Sequence, residues 1–258
     1  TFQNTATVMK VNVDSSGKYT VNVPPGTYDV TIERTVSGRK RTLVLDSLTV
    51  VEGANAIDLW WPSVESAAGR SALVMQHYDA GRSAQGDGRF DAAAGHYRAA
   101  LMEDCSQQAI WGELAVAQAQ GGSFEAAERD YITARAWGAG AATASNMANA
   151  YYRAGRFGEA GAKYKAAAEI DPSKAATYLA NAGAAYHAGR MTAEAEAAYK
   201  LAAGVPGALP SSWYFWGVSA QSNGNRDDAL TALRGYLQAD VSGRYSADAR
   251  QRIAALGG

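Results

Sequence analysis

The chain has 258 residues, enough for one large domain or two modest ones, each with a real core. Lys and Arg number 24 against 25 Asp and Glu, a net charge of -1, so no long-range field draws it to phosphate backbones or anionic lipid. One cysteine excludes an internal disulfide framework and a thiolate zinc site, and no apolar run approaches the roughly 18 residues of a spanning helix.

The chain starts at Thr1 with no signal peptide in view, which fits a mature exported protein or a cut boundary equally. Alternation of apolar and polar residues then predicts strands over Thr7–Val13, Lys18–Val23, Thr27–Glu33, Arg41–Val50 and Ala56–Trp60. Asp14-Ser-Ser-Gly17 and Pro24-Pro-Gly26 are turns, proline presetting φ and glycine accepting positive φ. Glu52-Gly53-Ala54-Asn55 supplies the next.

Asp14-x-x-Gly17-x-Tyr19 followed by Pro24-Pro25-Gly26-Thr27-Tyr28-Asp29-Val30 resembles the carboxypeptidase-regulatory-like, transthyretin-like β-sandwich family over residues 7–60. Members usually begin with further strands, and only six residues precede Thr7. The resemblance therefore implies a reduced sandwich or an open edge that takes a strand from another subunit, with Thr5 and Val8 as candidate interface positions. Arg39-Lys40-Arg41 reads as an edge guard or as a solvated hairpin tip. Trp60 and Trp61 cannot share one face of a strand, so they mark a fixed junction and a further candidate interface.

After Trp61 the composition changes: 3 alanines precede it and 52 follow. Gly88-Arg-Phe-Asp-Ala-Ala93 recurs as Gly122-Ser-Phe-Glu-Ala-Ala127, Gly155-Arg-Phe-Gly-Glu-Ala160, Gly189-Arg-Met-Thr-Ala-Glu-Ala195 and Gly224-Asn-Arg-Asp-Asp-Ala229. The glycines stand 34, 33, 34 and 35 residues apart. Four residues beyond each alanine comes Tyr97, Tyr131, Tyr164, Tyr199 or Leu233, and three further on Ala100, Ala134, Ala167, Ala202 or Tyr236. Small residues let two helices approach closely while the aromatic fills the space beside the crossing. One such hairpin cannot bury its apolar stripe alone, so the units must stack.

This pattern resembles the tetratricopeptide repeat family over residues 70–238. Trp111, Leu114 and Ala115 fit its first helix in the second unit, Met147, Ala148 and Tyr151 in the third, Tyr178 and Tyr186 in the fourth, and Trp213, Trp216 and Gly217 in the fifth. The fourth carries one extra residue in its turn. The first departs most, with a polar opening helix that contains Gly81 and ends at Asp104-Cys105 where a proline is usual. The expected fold is a small N-terminal antiparallel β-sandwich over 1–62, followed by a tetratricopeptide-repeat α-solenoid over 63–258. About ten repeat helices, stacked in chain order, are closed by a terminal helix over Tyr245–Leu256.

No catalytic, cofactor or metal constellation is legible. His77, His96 and His187 form no H-x-x-x-H or HExxH spacing, Cys105 has no positioned base, and no glycine-rich phosphate loop occurs. The expectation is a non-enzymatic structural or interaction protein without cofactor.

Binding surface remains. The family resemblance implies that first helices line a concave face that grips peptides, here with Asn146, Asn149 and Asn181. Arg153 is the nearby cation, at a helix end, so a clamp for a terminal carboxylate is not expected. Trp213-Tyr-Phe-Trp216 places four aromatics in four directions around a helix. That leaves Tyr214 and Phe215 for an interface or for the cover of the terminal helix. The expected partner is protein, first of all copies of the chain joined head to tail as an extracellular or cell-surface assembly such as a filament. The alternative is a monomeric adaptor for a partner peptide. There is no Asn-x-Ser/Thr site, and O-linked glycan stays open.

Overall fold

The computed structural model describes residues 2–3, 8–9, 24–36, 39–50 and 67–258. By contact the chain divides into Thr1–Ala139 and Gly140–Gly258, so the change of composition near residue 62 falls inside the first unit.

The described strands make one antiparallel sheet in the order β2-β1-β3-β4. β3 (Gly26–Val36) and β4 (Arg39–Val50) are the long pair, in register from Gly26 opposite Val50 to Val36 opposite Arg39, with a shift between Tyr28 and Val30. β1 (Phe2–Gln3) lies between β3 and β2 (Val8–Met9). This part of the N-terminal arm is therefore used in its own sheet, paired on both sides, and is not available to a neighbouring subunit. Lys18–Val23 and Ala56–Trp60 lie outside the described residues, as do the Asp14–Gly17 and Glu52–Asn55 turns. The Pro-Pro-Gly-Thr-Tyr run closes on itself: the Tyr28 hydroxyl donates to the Pro24 carbonyl at 2.7 Å. Tyr28 is fully buried and joins the core cluster that also holds Val74, Tyr97, Leu101, Trp111 and Leu114. Sheet and first repeats thus share one core within Thr1–Ala139.

In that unit follow α1 (Ala67–Gly86), α2 (Phe90–Glu103), α3 (Gln108–Gln120) and α4 (Phe124–Ala136). In Gly140–Gly258 follow α5 (Ala141–Arg153), α6 (Phe157–Ile170), α7 (Ala175–Ala188), α8 (Thr192–Gly204), α9 (Pro210–Ser222), α10 (Arg226–Ala239) and α11 (Ser246–Ala255). Within each unit consecutive helices pack as antiparallel hairpins. Alanine, the best helix former, supplies the local drive, and the repeat register read from spacing matches the packing. Ala93, Ala127, Ala160, Ala195 and Ala229 are all completely buried, as are Ala100, Ala134, Ala167 and Ala202. Phe90, Phe124 and Phe157 each open the second helix of a hairpin. Ala160→Leu is therefore expected to cost about 1–3 kcal/mol by overpacking; an unchanged urea midpoint would place the side chain in solvent instead.

The turn inside each hairpin is a Schellman cap. Gly88, Gly122, Gly155 and Gly224 adopt φ of 74°, 83°, 75° and 79°, and the next amide donates back to the first helix, as from Arg89 to the Ala84 carbonyl at 2.9 Å. The fourth unit departs from the spacing rule. There Arg190 takes the left-handed conformation at φ 59°, and Gly189 is the preceding, ordinary cap residue. The turn itself is no longer than the others, contrary to the expected extra residue: the Met191 amide donates to the Tyr186 carbonyl at 2.9 Å as that of Arg89 does to Ala84, and the glycine simply stands one place before the left-handed residue. Gly189 is small for another reason: a Cβ there would lie 2.8 Å from Cβ of Phe157.

Between hairpins, Asp171-Pro172 starts a short 3-10 turn, Asp171 accepting the Ser173 amide at 3.1 Å. Asp104 accepts the Ser106 amide at 3.0 Å, so the first unit builds the same turn without proline.

Candidate functional site

Asn146 and Asn149 lie on the exposed side of α5, opposite the buried Met147, Ala148 and Tyr151. Asn181 is exposed on α7, whose buried side carries Leu179, Ala182 and Tyr186. Three neutral amides therefore face solvent from first helices of two successive repeats. One of them is held in place: the Tyr164 hydroxyl on α6 donates to Asn149 Oδ1 at 2.5 Å, which turns the Nδ2 group outward as a donor. Burial pushes the Tyr164 hydroxyl above its ordinary pKa, so it stays a donor across the physiological range.

The first unit uses the same device. The Tyr97 hydroxyl donates to Gln85 Oε1 at 2.6 Å, and Gln85 Nε2 donates to Gln120 Oε1 at 2.8 Å, tying α2 to α1 and α1 to α3. Burial, then the Glu113 carboxylate, raises the Tyr97 hydroxyl further still. Glu113 is itself raised by burial and drawn back by Arg82. Spacing alone treats these tyrosines as space fillers. The available signal was chemical: at the five equivalent positions all four aromatics are tyrosines, whose hydroxyl mere packing does not need.

Tyr214 and Phe215 are not free surface. Tyr214 is buried, stacked on Tyr245 with ring centres 4.2 Å apart, and its hydroxyl donates to Asp248 Oδ2 at 2.6 Å. Phe215 is half-buried between Tyr199 and Tyr245. Arg252 completes the fringe, donating through Nε to Asp248 at 2.5 Å and through Nη1 to Gln221 at 2.8 Å. The Tyr214 hydroxyl and the Arg252 guanidinium hold the Asp248 carboxyl below the usual carboxylate range. The aromatics left over by the repeat are thus covered by α11 and the turn before it, one of the two outcomes the sequence left open.

Val8 is in β2, the outer strand among the described residues, while Thr5, Trp60 and Trp61 lie outside them. Cys105 is buried, and its carbonyl accepts the Trp111 indole N–H at 2.7 Å. Among the described residues no group of three or more His, Cys, Asp or Glu side chains could hold a metal ion, and no helix is long and apolar enough to cross a membrane. The placed residues pack and orient; none forms a nucleophile–base pair.

No curated protein matches the chain. Among solved structures it is similar to MamA, at 17% identity over 65% of this chain and 92% of that one, with a TM-score of 0.47. It is similar to PilF of Pseudomonas aeruginosa, at 18% identity over 73% and 90%, TM-score 0.42. It is also similar to YrrB, described as a TPR protein with an unusual peptide-binding site, at 13% identity over 72% and 100%, TM-score 0.45. The tetratricopeptide repeat family model matches residues 78–141 and 145–211, half of the chain. With five hairpins in the spacing, caps and buried alanines described above, the chain belongs to the tetratricopeptide repeat family.

Proposed function

We propose that the protein is a non-enzymatic structural and interaction protein that associates head to tail with copies of itself. The observation that carries this reading is an uneven distribution of charge. Residues 1–139 hold 12 basic and 16 acidic side chains, a net of -4, whereas residues 140–258 hold 12 and 9, a net of +3. A nearly neutral chain thus carries two units of opposite net charge. Contact between unlike units of successive copies is attractive, and contact between like units is repelled. Such a heterologous contact gives a filament when it does not close on itself. The Pro-Pro-Gly-Thr-Tyr turn supports reading residues 1–62 as a reduced carboxypeptidase-regulatory-like sandwich. An extracellular or cell-surface place belongs to the same proposal and is checked by surface fractionation of the native source.

Sedimentation velocity tests it. The full chain is expected to form species far above 27.1 kDa at low salt, dispersing near 1 M salt, where the Debye length falls to about 3 Å. A 27.1 kDa particle at every concentration and ionic strength overturns it.

The oriented amide favours a second reading, an adaptor that takes an extended segment along α5 and α7. Asn149→Ala would then weaken partner capture while the particle stays monomeric.

A further inference from the structure

We propose that His77 and His96 form an open two-imidazole site for a divalent transition-metal ion of the copper, nickel or zinc type. The two residues are 19 positions apart and share no metal-binding spacing, yet the α1–α2 hairpin brings their ring centres to 6.4 Å at an interplanar angle of 29°. Both rings are half-buried, and among the described residues neither makes a hydrogen bond to another side chain or to the backbone. Their nitrogens are therefore not committed to the packing of the hairpin.

The spacing suits an ion between them. An imidazole nitrogen binds such ions at about 2.0–2.1 Å, so two rings on one ion have centres up to roughly 6.4 Å apart. The observed separation lies at that outer limit, which corresponds to a linear arrangement, so both rings turn about their side-chain bonds to aim one nitrogen each at a shared ion. The scaffold beneath them is rigid. Gly81 lies against the Tyr97 ring so closely that a Cβ would be 2.5 Å from Cε1, the Tyr97 hydroxyl is bonded to Gln85, and Gly88 caps the turn. Folding thus holds the two imidazole-bearing positions side by side before any ion arrives.

Ligand type and number define the occupant. Imidazole without carboxylate suits copper(II), nickel(II) and zinc(II) and not calcium or magnesium, which need oxygen. No third His, Cys, Asp or Glu completes the set among the described residues, so water fills the remaining positions and the ion exchanges. Affinity follows the order of the divalent series, with copper(II) tightest.

The test is titration of the full chain with copper(II) and with zinc(II), read by calorimetry and by electron paramagnetic resonance of the copper form. One copper per chain with two-nitrogen coordination is expected, together with selective paramagnetic broadening of the His77 and His96 ring signals in the unaltered protein. His77→Ala and His96→Gln should each weaken binding by more than about tenfold, while His187→Ala, which removes an exposed lone imidazole, should leave it unchanged. Equal binding by all three variants, or broadening spread evenly over the three histidines, overturns the site.

Discussion

Trp111→Ala is expected to lower the stability of the folded chain by about 3–5 kcal/mol. Trp111, on α3, is completely buried in the core cluster of Thr1–Ala139 that also holds Tyr28, Val74, Tyr97, Leu101 and Leu114. Truncation removes the ring's burial and leaves a cavity that four helices held by their own turns cannot collapse into. It also takes the indole N–H from the Cys105 carbonyl, the bond that fixes the turn between α2 and α3. Trp111→Phe separates the two effects: it keeps most of the ring and loses only the donor, for about 1–3 kcal/mol. Urea unfolding followed by far-ultraviolet circular dichroism measures both. A loss below about 1 kcal/mol for the alanine variant would mean that the Trp111 ring is not held in the buried core.

Gly161→Leu should destabilise by about 3 kcal/mol, at the upper end of overpacking costs, although glycine is a poor helix residue. Removing glycine from a helix gains up to about 1 kcal/mol, so a free position would show stabilisation. Here a Cβ at residue 161 would lie 2.5 Å from Cε1 and Cζ of Tyr186 and 2.8 Å from Cε2. The Tyr186 ring is buried on α7 and cannot swing aside as the end of a flexible chain would. The partner change Tyr186→Leu should recover part of the loss in a double-mutant cycle, because it frees the volume that the new side chain needs. Additive losses would show that the two residues do not meet.

How much of this was legible can be judged residue by residue. The buried alanines at 93, 127, 160, 195 and 229 were readable because a helix crossing demands a small side chain at one fixed place in each repeat. The left-handed turn residues at 88, 122, 155 and 224 were readable because glycine tolerates positive φ. The fourth turn was read as one residue longer because its glycine stands one place early; the turn has the ordinary length, with Arg190 in the left-handed region, and spacing cannot reveal which of two neighbours adopts it. The amides at 146, 149 and 181 were placed on first helices by the periodicity, but the hydroxyl that orients Asn149 comes from another helix. Tyr214 and Phe215 could be read as surplus aromatics, and nothing in their own helix says that Tyr245 and Asp248 cover them.

By itself the sequence determined the repeat class, the register of its helices and the absence of any recognisable catalytic spacing, all of which rest on residues within one turn or one hairpin period. Tertiary structure alone decided that Phe2–Gln3 lies inside its own sheet, that Tyr28 enters the helical core, that α11 seals the aromatics of α9, and that His77 meets His96. Local periodicity places a side chain on a face of its own element. Which group of a distant element stands opposite depends on the packing angle and depth of two elements at once, and that is settled only when both are folded together.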